Sequence, residues 1–261
     1  IAVLVELPFT GKLIWLAEKI VPVLPEENQQ MEDRSLVYMT QLTKVPAPVA
    51  LRQTQREITR MGHIAADNLQ RALDCFFHYN SAKAASVRSH EESVNILNHL
   101  IADAMVDLRS LDLSPENMRR VSMMTIAVTD IERLSDHAEN IVEYIEQMNA
   151  KKAEMSDAAR KELIDMSKDA MDAVYMALDI FEKDDYNKLD QIEILEQHVD
   201  DHEKDLINNH IERIMNSLCN PLSAVIFSDL VTDLERCSDH AINLAYALKE
   251  RPSEMDAPKI I

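Results

Sequence analysis

The sequence predicts an all-α fold: two tandem three-helix bundles preceded by a short amphipathic helix and a linker. Three observations carry this. Glycine occurs only at Gly11 and Gly62, whereas a strand-rich fold needs turn residues every roughly 8–12 positions. Apolar residues recur at helical spacing, as in Met124, Val128, Ile131, Leu134 and Ala138. The third is a stretch that occurs twice, DIERLSDHAEN at 130–140 and DLERCSDHAIN at 233–243, identical at eight of its eleven positions.

Residues 1–24 begin with the apolar run IAVLVELPF and continue as GKLIWLAEKIVPVL, with Leu13, Trp15, Leu16 and Ile20 set among Lys12, Glu18 and Lys19. The apolar run is shorter than the ~20 residues that a membrane span needs. A chain opening on Ile1 reads as a piece of something longer, and 1–24 as a membrane-proximal segment with Trp15 at headgroup depth. Residues 25–48 hold acids, glutamines and prolines and read as a linker, with Leu36–Met39 as a brief extended piece. The first bundle is expected over 49–150, the second over 151–251, and a tail over 252–261.

Within the first bundle, one helix runs from about Val49 to Tyr79. The next is expected after Ser89, where SHEE offers a capping box with Ser89 as N-cap and Glu92 at N3. The third opens at Ser114-Pro115-Glu116, an N-cap, an N1 proline and a first-turn acid, and carries the first copy of the doubled stretch. The second bundle repeats the plan. Its helices start after Ser156 or Asp157, near Asn187, and at Asn220-Pro221. The repeat extends past the doubled stretch: Glu57, Asp67 and Phe76 match Glu162, Asp172 and Phe181. In the second helix of each half, Ile96-Leu97 align with Ile194-Leu195, which sets Asn98 and Ala102 opposite Glu196 and Asp200. This is a duplicated three-helix unit.

The net charge of −19, from 46 acids and 27 bases, argues against a nucleic-acid partner, because phosphate backbones call for a basic patch. It suits cations. The three cysteines, Cys75, Cys219 and Cys237, form no CxxC pair, as expected in a reducing compartment. No HExxH, phosphate-loop or GxSxG motif is present, and no His follows a Glu by three positions, the spacing that di-iron bundles use. The chain does not read as an enzyme.

The candidate chemistry lies in paired carboxylates. Glu132 and Asp136, and Glu235 and Asp239, are each four apart and therefore stack on one helix face, where like charges repel. Glu196 and Asp200 repeat the spacing one helix earlier. An antiparallel turn between those helices would bring Glu196, Asp200, Glu235 and Asp239 across one groove, an oxygen set fit for a hard cation or iron. Acidic pairs also occur as plain solvated surface; the duplication with Arg133/Arg236, Ser135/Ser238, His137/His240 and Asn140/Asn243 held in place is what favours a site. The arginines are expected as salt-bridge partners of the acids. The histidines, about 100° around the helix, are expected to pack or to support.

Two tandem three-helix bundles with Glu132-x-x-x-Asp136, Glu196-x-x-x-Asp200 and Glu235-x-x-x-Asp239 resemble the PhoU phosphate-signalling proteins over roughly residues 50–250. The resemblance implies a regulatory domain whose acidic motifs hold multinuclear iron or zinc clusters, so that Fe, Zn or Ni is the expected cofactor. The LPF and LAEKIVP pieces look like the C-terminal part of bacterial Na⁺/phosphate cotransporters. That likeness implies a cytoplasmic domain of an inner-membrane protein, partnered with its own transmembrane domain, which handles inorganic phosphate and Na⁺. A free-standing PhoU-type adaptor is the other reading. A homo-oligomer is compatible with either. In the first bundle Asn98 and Ala102 stand where the second acidic pair is expected, so a weaker metal site is expected there.

Overall fold

The structure, a computed structural model, describes residues 33–39 and 41–249. Residues 1–24, the tail 252–261 and the first part of the linker lie outside the described residues. Six helices follow one another: α1 (Ala47–Phe77), α2 (Ser81–Arg109), α3 (Pro115–Lys151), α4 (Asp157–Lys183), α5 (Leu189–Met215) and α6 (Pro221–Tyr246), with short 3₁₀ turns at Leu42–Lys44 and Tyr186–Lys188. No strand occurs among the described residues. Helices α1–α3 pack on one another, as do α4–α6, and the two bundles meet where α3 crosses α6 and α1 crosses α4. The buried apolar side chains form one continuous core through both bundles, so the halves share an interior rather than touching at polar surfaces.

Caps account for most helix starts. Ser114 accepts from Asn117 N, Ser156 from Ala159 N and Asn220 from Leu222 N; each satisfies an amide that the first turn leaves without a partner. Helix α2 starts eight residues before the expected Ser89. Asn80 is its cap, accepting from Ala82 N and Lys83 N at 2.8 and 3.2 Å. The intervening SAKAASVRSH is rich in good helix formers, so Ser89 falls mid-helix, where its carbonyl accepts from Ser93 Oγ.

The described part of the linker is a strap docked on the first bundle, not an extended strand. Met39 and Leu42 are buried, and Leu36 and Val45 pack against the core. Glu57, fully buried on α1, accepts from Val37 N and Tyr38 N at 2.8 and 2.5 Å. Arg60 binds the same carboxylate and donates to Ser35 O, while Arg34 reaches Glu92 on α2.

The register of the second helices differs from the expected one. In α5 the buried residues are Leu189, Ile192, Val199, Leu206 and His210; in α2, Ala84, Val87, Val94, Ile101 and Met105 are all buried, each 105 positions earlier. The alignment of Ile96-Leu97 with Ile194-Leu195, an offset of 98, matches fewer of them. It also disagrees with the offset of 105 shared by Glu57/Glu162 and Phe76/Phe181. The correct partners of Glu196 and Asp200 are therefore Glu91 and Asn95, not Asn98 and Ala102. The slip is seven residues, two helical turns, and it leaves an apolar stripe nearly in place.

Candidate functional site

The doubled stretch lies where α3 crosses α6. Asp130 and His137 are seven apart on α3, and Asp233 and His240 are their equivalents on α6. They pair reciprocally across the bundle interface. His137 Nδ1 donates to Asp233 Oδ1 at 3.0 Å, and His240 Nδ1 donates to Asp130 Oδ1 at 2.9 Å. All four are buried, and both imidazoles lie side by side, with ring centres 5.8 Å apart and planes tilted by 31°. Tyr144 OH donates to the other oxygen of Asp233 at 2.9 Å; burial first, then the Asp233 charge, hold its phenol protonated well above the usual range. Asp130 Oδ2 has no partner among the described residues. Asp130 and Asp233 were legible as identical positions, yet nothing in the sequence gave them a role.

Above these pairs lies a groove of about 800 Å³, lined by both copies of four repeated residues, Arg133/Arg236, Asp136/Asp239, His137/His240 and Asn140/Asn243, together with Glu139. The duplication thus builds a pseudo-twofold site at the bundle interface. Arg133 and Arg236 are exposed. Among the described residues neither forms the expected salt bridge; their charges oppose the upward shifts of Glu132, Asp136 and Glu235.

Of the paired acids, Asp136 and Asp239 line the groove, while Glu132 and Glu235 lie outside its lining. In the second bundle Glu235 is pushed up to about 7, first by burial and then by the charges of Asp239, Glu203 and Asp200. Asp200, Asp239 and Glu235 are therefore brought together as a repelling set. Glu203, one turn beyond Asp200, belongs to that set and was not singled out in the sequence. Glu196, partly buried, sits one turn before Asp200. In the first bundle, burial and then Asp136 raise Glu132. Burial raises Asp136, with His137, Arg133 and His240 pulling the other way. Glu91 on α2 is raised by burial, then by Glu139 and Asp136, and it accepts from Asn95. Arg88 grips Glu146 with both nitrogens, at 3.0 and 2.6 Å. Glu91 was hidden from sequence reading by the register slip.

These oxygen donors suit a hard cation in kind. As the side chains stand, no group of three or more His, Cys, Asp or Glu among the described residues is close enough to hold an ion.

Comparison with known proteins follows the repeat. The PhoU domain matches this chain twice, at 58–145 and 163–248, once in each bundle. The phosphate-specific transport system accessory protein PhoU homolog 1 of Thermotoga maritima is 23% identical over 189 residues, spanning 72% of this chain and 81% of that one. The crystal structure of PhoU from Pseudomonas aeruginosa aligns with a TM-score of 0.71 at 20% identity, covering 76% of this chain and 94% of its own. That of the phosphate transport system regulatory protein PhoU from Streptococcus pneumoniae aligns with a TM-score of 0.70 at 17% identity, covering 78% and 95%.

These findings correct the expected location as a cytoplasmic domain of an inner-membrane protein. The bundles correspond to nearly the whole of the solved PhoU chains, the curated relative is named as an accessory protein, and no described helix is long and apolar enough to cross a membrane. With one copy of the domain in each bundle, over 58–145 and 163–248, the chain belongs to the PhoU domain family.

Proposed function

We propose that this chain is a PhoU-type regulator of phosphate uptake and signalling that acts by contact with a phosphate transport system and performs no chemistry of its own. The double domain match carries this reading, and the names of the relatives supply the transport system as partner. Deleting the gene in its host and measuring radiolabelled phosphate uptake tests it. Uptake that stays high in phosphate-rich medium, and is brought back under control by the intact chain, is the expected result. Uptake unchanged by the deletion counts against it.

The carboxylate sets would make such a regulator responsive to cations. Glu235, Asp239, Asp200, Glu196 and Glu203 would hold one ion or cluster, and Glu132, Asp136, Glu91 and Glu139 another, with Fe, Zn or Ni as the candidates. Like charges now held against one another would then face a shared cation, and binding to the folded state alone would raise stability by linkage. Thermal unfolding with each metal tests this. The melting temperature should rise, and Glu235→Gln with Asp239→Asn should remove most of the rise from the second bundle. A melting temperature indifferent to all three metals leaves the acids as solvated helix surface.

A further inference from the structure

We propose that His137 and His240 form a nitrogen-donor site for a first-row divalent ion, such as Zn²⁺ or Cu²⁺, that bridges the two bundles. It differs from the carboxylate sets in donor type, although Asp136, Glu139 and Asp239 of those sets line the same groove, and it does not depend on their binding anything.

The argument starts from the tautomers. A carboxylate accepts, so Asp233 and Asp130 fix the proton of each ring on Nδ1. Nε2 is left as a bare lone pair on both. The side-chain hydrogen bonds of both rings among the described residues are made through Nδ1, and both rings line the groove. A histidine whose Nδ1–H is held by a carboxylate, with Nε2 free, is the arrangement of metal-ligating histidines; the carboxylate orients the ring and raises its basicity. Here it is built twice, with Asp130 and Asp233 each only 6% exposed.

The spacing fits one ion. Side chains on a helix lean toward its N-terminus, which brings these two rings together from symmetric positions. Two imidazoles bound through Nε2 at ~2.0–2.1 Å put their ring centres about 5–6 Å apart over ordinary ligand angles; the observed separation is 5.8 Å. Imidazole donors select Zn, Cu or Ni over Mg and Ca. Asp136 lines the same groove. No third donor stands within reach as the side chains lie, so the remaining positions are open to water or to an added ligand. A histidine pair that merely latched the bundles would need the two Asp contacts, but not two rings 5.8 Å apart that both line a groove.

The test is electron paramagnetic resonance of the full chain with one equivalent of Cu²⁺. Expected are superhyperfine lines from two nitrogens, from one in His137→Gln or His240→Gln, and from none in the double variant. The two-nitrogen pattern should persist in Glu132→Gln with Glu235→Gln, which alters acids outside the groove. An oxygen-only spectrum from the unaltered chain overturns the proposal, as does a nitrogen pattern that survives the double variant. If circular dichroism shows that the double variant does not fold, Asp130→Asn and Asp233→Asn decide. Each keeps both rings and should lower Cu²⁺ affinity about 10- to 100-fold; an unchanged affinity overturns the proposal.

Discussion

Among the described residues, His240 alone donates to the Asp130 carboxylate, at 2.9 Å, and this makes the two cross-bundle pairs unequal. The equivalent acid, Asp233, receives both His137 and Tyr144. The position that corresponds to Tyr144 is Ala247, and a methyl group cannot donate. The pseudo-twofold axis is thus exact in the His–Asp contacts and broken one layer further out.

A stability difference follows. His240→Ala leaves a buried carboxylate with no donor, which costs about 3–5 kcal/mol. His137→Ala leaves Asp233 with Tyr144, at a cost of about 1–3 kcal/mol. Urea unfolding of the two variants should show His240→Ala as the less stable. Equal losses, or the reverse order, would mean that Asp130 is served by a donor outside the described residues.

Stability should also fall as pH rises through neutrality. The folded-state value of Glu235, about 7, lies above that of an unfolded glutamate, so the folded chain holds this proton more tightly. The stabilisation is complete below the unfolded value near 4.5 and is lost as pH rises through about 7. The upward shifts of Glu91, Glu132 and Asp136 act in the same direction. Melting temperatures measured between pH 5.5 and 8 should decline in the native chain and decline less in Glu235→Gln. A slope that Glu235→Gln leaves untouched places the titrating group elsewhere.

How much of this was legible depended on the range of the signal. Helix starts are local: Ser114-Pro115, Ser156 and Asn220-Pro221 each announce one, and each caps its helix in the structure. Ends were vaguer because Lys152, Asp184 and Ser217 take the left-handed conformation that glycine would have flagged. The α2 register was lost because an apolar stripe shifted by seven residues falls nearly on itself. The reciprocal His–Asp contacts span 96 and 110 positions. Only the packing of α3 on α6 brings them together, although the identity of all four residues in the doubled stretch was their trace in the sequence.

The register correction has its own consequence. Asp136 raises the cost of ionising Glu91, whereas Asn98 and Ala102 occupy the positions that the earlier alignment placed beside the acids. Asp136→Asn should therefore lower the pH at which the Glu91 carboxyl titrates by nuclear magnetic resonance. Asn98→Asp should leave it in place. If Asp136→Asn leaves the Glu91 midpoint unmoved, the seven-residue shift is wrong.

Glu57 offers a last contrast between the halves. Its repeat partner, Glu162, is spent on α5, accepting from Asn209 and Arg213. Glu57 instead holds the strap through Val37 N and Tyr38 N. Hydrogen bonds to a charged acceptor contribute about 1.5–3 kcal/mol each, and each 1.4 kcal/mol is tenfold in an opening equilibrium. Glu57→Gln keeps the shape of the side chain and removes its charge. It should speed hydrogen exchange at Val37 and Tyr38 by tenfold or more, while the amides of α4–α6 keep their protection. Met39 and Leu42 would still be buried against α1 and α2, so the strap should loosen at its first turn and stay seated at its second. Unchanged exchange at Val37 and Tyr38 would show that those apolar anchors, and not the carboxylate, fix the strap along its whole length.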